Sequence, residues 1–205
     1  MIFLAKHFWN KQTADTEGMC LNEDASEFDD IEKLEICGYF PELKDKIILE
    51  LGAGIGRFTG FFASSAKKVV AVDFVEKFIE KNKELNSSYS NIRFITQNVM
   101  KLNFRDEKFD FIFMNWLLMY LSESETRFLT ERIKKWLKPN GCIFLRESCN
   151  RASNPTKPMP NTHYRSPNYY EKLFYKLDIL NYGNIKVYER KFGNPDQCWW
   201  IFKLK

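Results

Sequence analysis

An apolar, β-branched run, Ile47-Ile48-Leu49, leads into a turn with glycine at alternate positions, Gly52, Gly54 and Gly56, and a helix-forming stretch follows. This order of strand, sharp turn and helix N-terminus is how a parallel α/β sheet opens a nucleotide site, and it excludes most other folds. Glycine allows positive φ and lets the backbone approach a ligand that a Cβ would push away. A dinucleotide fingerprint spaces its glycines G-x-G-x-x-G and sets a pyrophosphate over the helix N-terminus. Here the spacing is E-x-G-x-G-x-G, with Glu50 two residues ahead of Gly52, which disfavours a nicotinamide oxidoreductase. Lys68-Val69-Val70-Ala71-Val72-Asp73 then reads as a second strand ending in an acid, about 20 residues on, where a carboxylate can accept ribose hydroxyls. A glycine turn that only packs helix on strand is the plainer alternative, and the acid at Asp73 argues against it.

The alternation continues along the chain. A helix is expected near Phe58–Ser65 and another over Phe74–Asn86, whose Phe74, Phe78, Ile79 and Leu85 suit one buried face. Ile92–Thr96 reads as a third strand, and Phe109–Met114, continuously apolar, as a central one buried on both faces. Ser122-Glu123-Ser124-Glu125 is a capping box opening a helix to Trp136, and Lys138-Pro139-Asn140-Gly141 turns into a fifth strand, Cys142–Glu147. Before this core, Trp9 to Gly18 is polar and turn-like. Asn22 to Phe40 has a helical pattern of Phe28, Ile31, Leu34 and Ile36 that is expected to pack on the sheet as a lid. After it, Asn150 to Pro160 is a proline-rich loop of functional length, and Ser166-Pro167 opens a short aromatic helix through Phe174. Ile185–Tyr188 and Cys198–Phe202, flanking Gly193-Asn194-Pro195-Asp196, read as a closing antiparallel hairpin.

The chain of 205 residues suits one domain that needs neither disulfides nor a structural metal. Its net charge of +4 is spread along the sequence with no basic run interleaved with aromatics, which argues against nucleic acid and leaves room for a small anionic substrate. Five scattered cysteines without a C-x-x-C fit a reducing compartment and form neither a disulfide framework nor a zinc site. The apolar opening, Met1 to Ala5, is too short for a signal peptide, and no run approaches membrane-spanning length, so a cytoplasmic protein is expected.

The glycine turn resembles the first motif of class I S-adenosylmethionine (SAM)-dependent methyltransferases. More of the chain is similar to one family of them, the phosphoethanolamine N-methyltransferases, and in particular to the N-terminal catalytic domain of the plant and nematode enzymes. The stretches that carry this are Leu49 to Thr59, Asn115-Trp116-Leu117-Leu118-Met119-Tyr120-Leu121-Ser122, Leu145-Arg146-Glu147-Ser148-Cys149 and Thr162-His163-Tyr164-Arg165. Met19-Cys20-Leu21-Asn22 and Gln197-Cys198-Trp199-Trp200 add to it, so the likeness covers nearly the whole chain. It implies a Rossmann-like α/β fold: a mostly parallel seven-stranded sheet with a C-terminal antiparallel hairpin, residues 46–205, behind an N-terminal helical lid, residues 1–45. It also implies methyl transfer from SAM to the amine of phosphoethanolamine, in a monomer. With the plant form's second methyltransferase domain absent, the first methylation is expected here and later ones from another protein.

The resemblance assigns site residues as well. Gly52, Ala53, Gly54 and Gly56 go to the methionine and ribose of SAM, and Asp73 to its ribose hydroxyls. Arg57, Phe74 and Val99 also line that site, Glu50 orients the glycine loop, and Asn115 and Trp116 form the floor beneath the sulfonium, where Trp116 offers a cation–π contact. Asn98 stands where the family usually has an acid that holds the adenine amine; its side-chain oxygen can still accept that bond, without the charge. The substrate amine is protonated at neutral pH, its pKa being about 10 as for lysine. A proton must therefore leave before nitrogen can attack. His163 and Tyr120 are both candidates to handle it, His163 because it titrates near neutrality and Tyr120 because it follows a central strand. Arg165 offers a fork for the phosphate, with Tyr164 and Tyr170 as hydroxyl donors and Lys157 as an outer attraction. His7, Trp9, Trp199, Trp200 and the cysteines are expected only to pack. Other readings are a methyltransferase for another small amine or acid, or a SAM-binding partner without activity.

Overall fold

The computed structural model describes residues 2–153 and 162–204. Its seven strands form one sheet in the order β3-β2-β1-β4-β5-β7-β6. The parallel strands are β1 (Ile47–Leu51), β2 (Lys68–Asp73), β3 (Ile92–Thr96), β4 (Phe109–Asn115) and β5 (Leu137–Ser148). β6 (Asp178–Asn184) and β7 (Gln197–Lys203) close the sheet antiparallel. This is the expected architecture. Strand order reverses between β1 and β4, and in open α/β sheets a ligand crevice lies at that switch, outside the carboxyl ends of the strands.

The core forms on both faces because the central strands have no polar face to leave outside. On one face Leu49, Val70, Ile112 and Ile143 pack under α6 (Glu123–Trp136) and α7 (Pro167–Leu173). On the other, Ile48, Val69, Phe111 and Phe144 meet Phe28 of α3 (Ala25–Cys37) and Phe62 of α4 (Thr59–Ala63). The capping box at Ser122 and Glu125 is formed, each satisfying a backbone N–H of the other's residue. α5 (Glu76–Leu85) follows β2 as expected, but Leu85 at its end is exposed.

Four local expectations change. The polar stretch from Trp9 to Gly18 is partly helical, within α1 (Ile2–Lys11) and α2 (Thr16–Cys20). In α3 only Phe28 and Ile36 of the four apolar positions are buried; Ile31 and Leu34 are 59% and 75% exposed. The buried stripe is completed by Asp29 and Glu32, which have ionic partners described below. β5 begins at Leu137, because the strand continues through the Lys138–Gly141 turn on a bulge opposite β4. The antiparallel hairpin exists, but its first strand is β6, and Ile185–Tyr188 belongs instead to the start of α8 (Lys186–Phe192). Ile185 and Tyr188, three residues apart, are the buried side of that helix, which explains the apolar pattern that suggested a strand.

β6 is the outermost strand, and Ile179, Leu180 and Tyr182 on it are all exposed. Among the described residues no helix is long and apolar enough to cross a membrane.

Candidate active site

A cavity of about 980 Å³, its open mouth included, occupies the switch point at the carboxyl edge of the sheet. Its walls come from the segments after β1, β2, β3 and β4, and from the N-terminal helices. The turn after β1 owes its shape to positive φ at Gly52, Gly54 and Gly56, and the amides of Gly52 and Ala53 both bond the carbonyl of Val72, anchoring the turn to the end of β2. A Cβ on Gly54 would sit 2.5 Å from Cε of Met19, and one on Gly56 would strike Asn82. The close approach that the glycine spacing predicts is thus already used by the protein's own side chains.

Asp73 ends β2 with one carboxylate oxygen on the amide of Gly54 and the other on the amide of Val75, each at 2.9 Å. Each oxygen has acceptor capacity beyond the one bond, and the residue lines the cavity. Burial raises its pKa to about 6 against the pull of those amides. Glu50 also lines the cavity and is buried, accepting the hydroxyl of Thr59 at 2.6 Å. Desolvation raises it to about 8, so it is largely protonated at neutral pH, and its link to Thr59, Asn82 and Asn86 ties the turn to α5. Phe74, Val99 and Asn98 form the next wall, with Asn98 capping a short 3₁₀ turn through the amide of Met100. Ala53 and Arg57 line the cavity as expected.

The floor is Asn115-Trp116, with Leu117, Tyr120 and Leu121 beside it. One face of the Trp116 ring is already occupied by a cation: the guanidinium of Arg146 lies 3.5 Å from the ring centroid. The indole N–H of Trp116 donates to Gln197 at 3.0 Å, which fixes the ring. Arg146 is fully buried, bonded to Asn115 and to Glu32, and Glu32 also meets Arg57, which pairs with Asp29. This buried four-charge network joins α3, the glycine turn and β5. Sequence reading found Arg57 but not its partners, because Glu32 and Arg146 stand 114 positions apart.

Of the two proton-handling candidates, Tyr120 lines the cavity and His163 does not, though the His163 amide bonds the carbonyl of Met119 at 2.8 Å. Burial drives the Tyr120 pKa well above the ordinary tyrosine value, with Glu147's charge adding to it. Burial and nearby Arg165 lower that of His163, so its imidazole is neutral at pH 7. Arg165 is half-buried and gives its fork to the carbonyls of Leu118 (2.9 Å) and Leu121 (2.5 Å), using two of its N–H groups on the turn that carries Tyr120. Tyr164 beside it is half-buried. Tyr170 is fully buried against Trp200 and is not among the residues that line the cavity, and its hydroxyl has no hydrogen-bond partner among the described residues. Lys157 lies outside the described residues. Trp9, expected only to pack, lines the cavity and meets Tyr120 edge-to-face at 5.8 Å, and Met19 and Ala5 close the same side. The resemblance around Met19-Cys20-Leu21-Asn22 was the only sequence signal for that wall.

Comparison with known proteins agrees with the geometry. A family model described as a methyltransferase domain matches residues 48–141. Phosphoethanolamine N-methyltransferase 3 of Arabidopsis thaliana is 38% identical over 98% of this chain and 44% of its own, and the Caenorhabditis elegans phosphoethanolamine N-methyltransferase 1 is 36% identical over 95% and 42%. Phosphoethanolamine N-methyltransferase 1 of Haemonchus contortus, solved in complex with phosphoethanolamine and S-adenosylhomocysteine, superposes with a TM-score of 0.88 and 32% identity over 98% of this chain and 47% of that one. The chain thus spans about half the length of these relatives. With the glycine turn, the acid at the end of β2 and the sheet order in place, the chain belongs to the phosphoethanolamine N-methyltransferase family.

Proposed function

We propose that this chain is a SAM-dependent N-methyltransferase that converts phosphoethanolamine to N-methylphosphoethanolamine. The observation that carries this is the cavity at the switch point, with the glycine turn and Asp73 on one wall and the Asn115–Tyr120 segment as its floor. The donor set suits SAM. Asp73 has lone pairs left for two ribose hydroxyls, and Asn98 retains an acceptor lone pair for the adenine amine. When bound, SAM supplies an electrophilic methyl on a sulfonium, a leaving group good enough that methyl transfer needs no metal.

The protein's part is to orient the amine and remove its proton. Tyr120, too weakly acidic to exist as phenolate, orients the nitrogen through its oxygen. His163, neutral at working pH, takes the ammonium proton and releases it to solvent. Holding the nitrogen in line supplies much of the rate, since pre-paid orientation is worth roughly 7–11 kcal/mol. Arg165, with N–H groups beyond the two it gives to the turn, takes the phosphate together with Tyr164. Residues 1–45 act as a lid over the cavity. The protein works as a monomer in the cytoplasm, its five free cysteines suiting a reducing compartment, and a second methyltransferase adds the later methyl groups.

Single-turnover mass spectrometry with SAM and phosphoethanolamine, with ethanolamine as control, tests this. A product heavier by one methylene, from the phosphorylated amine alone, is expected. Turnover on ethanolamine or another small amine would replace the substrate assignment. SAM binding without turnover would favour a non-catalytic partner, the reading that the missing acid at Asn98 keeps open.

A further inference from the structure

The transfer chemistry above makes no use of Glu147, yet few groups in the molecule are more fully engaged. It lies on β5, wholly buried, and its carboxyl accepts the backbone amides of three consecutive residues. Leu117 (3.1 Å) and Leu118 (2.6 Å) donate to Oε1, and Met119 (3.2 Å) donates to Oε2. These amides open the 3₁₀ turn Leu118–Tyr120, and amides at the start of a helical turn have no partner within it. The carbonyl side of the same turn is held by the segment carrying His163. Arg165 bonds the carbonyls of Leu118 and Leu121, and the amide of His163 bonds that of Met119. Trp116, which leads into the turn, has φ of +55°, a conformation strained for a side-chain-bearing residue that persists only when its surroundings hold it.

We propose that Glu147 is a positioning residue: its carboxylate clamps the Leu117–Met119 amides so that Trp116 and Tyr120 stand at the cavity floor, while Arg165 and His163 close the same turn from its carbonyl side. The turn with the residue that orients the amine and the segment with the residue that takes its proton then move as one unit.

The ionised carboxyl accepts all three amides at full strength. Protonation weakens it as an acceptor and brings a hydroxyl hydrogen among the amides, and a glutamine turns a donor toward one of them, so buried hydrogen bonds are weakened or lost. Burial raises the Glu147 pKa to about 7, against the three amides and Arg165, which lower it. The other titratable groups facing it are Tyr120 on the turn, Tyr170 on α7 and Cys149 just past the end of its own strand, with Cys198 paired opposite on β7. The clamp is therefore complete above about pH 7 and released as pH falls through that value.

Amide hydrogen exchange on the whole chain, wild type and Glu147→Gln, tests the clamp without reference to activity. At pH 8 the variant should lose at least tenfold protection at Leu117–Met119, while β4 keeps its own. In the wild type, after correction for intrinsic rates, the same three amides should lose protection between pH 8 and pH 6. Unchanged protection at these amides in the variant overturns the proposal, as does a wild-type segment indifferent to pH over that range. If the variant fails to fold, the wild-type measurement decides. The kinetic arm rests on the proposed methyltransferase activity. There kcat should fall about 10²-fold in Glu147→Gln, with KM for SAM within about threefold, and the acid limb of kcat near pH 7 should disappear. A fall in KM and kcat together with the acid limb retained counts against positioning. Absence of activity in both proteins would refute the functional reading and leave the exchange result to judge the clamp.

Discussion

Glu32→Gln removes one charge from the buried network and leaves the shape intact. In the wild type, Glu32 lies between Arg57 and Arg146 with no exposed surface; the Arg146 contact is 2.9 Å, and Arg57 also pairs with Asp29, which takes Lys33 at 2.8 Å as well. The substitution leaves Arg146, itself fully buried, with Asn115 and the Trp116 face as partners and no carboxylate. Breaking a buried pair from one side typically costs about 3–5 kcal/mol, since the remaining charge cannot be rehydrated. At about 2–4 °C per kcal/mol for a domain of this size, thermal unfolding should move down by roughly 10 °C. Glu123→Gln is the control: its pair with Arg127 at 2.6 Å is exposed on both sides, and its loss should leave the melting temperature nearly unchanged. Unfolding of both variants, followed by circular dichroism and repeated in urea at fixed pH, gives the comparison. If Glu32→Gln melts within about 2 °C of the wild type, the network is not the electrostatic joint described here, and water or a shift of α3 must be relieving Arg146.

Gly54→Ala should destabilise by about 1–2 kcal/mol and weaken SAM binding measured by calorimetry, because φ is +54° there and the new Cβ meets Met19 at 2.5 Å. Glu50→Gln should raise stability at pH 8 relative to wild type while leaving it nearly unchanged at pH 5. The wild-type carboxyl titrates at about 8 folded against 4.5 unfolded, so the native state binds the extra proton and stability declines as pH rises between those values. Asp73→Asn should leave the fold intact and lower SAM affinity at least tenfold, since it removes a charge-assisted acceptor from the ribose position; equal affinity would remove Asp73 from the site. Arg165→Ala should raise KM for phosphoethanolamine far more than for ethanolamine if the arginine holds the phosphate. An equal loss of kcat on both would mean that its bonds to Leu118 and Leu121 are its whole contribution.

What could be read from the sequence was what depends on short range. The central parallel strands β1, β2 and β4 are mostly apolar runs because helices cover both faces, and the glycine turn states its own geometry. β6 was missed because Asp178–Asn184 is exposed at the sheet edge and mixes polar residues with glycine, so no buried alternation marks it. The burial of Asp29 and Glu32 could not be foreseen either. On a helix, acids read as the solvent side until the arginines that meet them, from β5 and the glycine turn, are brought into contact. The same applies to Glu147, which looks like an ordinary strand-end acid until the turn after β4 folds over it. The place of Asp73 beside the glycine turn was legible because the strand after that turn ends there at a fixed spacing. The burial of Tyr170 was not legible, because a tyrosine in an aromatic helix shows its hydroxyl in sequence but not the core around it.

The open flank at β6 bears on how the protein behaves in concentrated solution. A terminal strand offers unpaired backbone N–H and C=O groups, and here Ile179, Leu180 and Tyr182 add exposed apolar side chains along it. Natural edges are usually guarded by inward charges, prolines or strong bulges. This one has a register shift opposite Ile179 and Asn181 and an acid only at its first position, Asp178. Strand-to-strand association along this flank should therefore rise with concentration and fall when a lysine replaces Leu180. Loss of monodispersity on storage would then arise at the edge of the sheet farthest from β3, leaving the cavity between β1 and β4 intact within each aggregated copy.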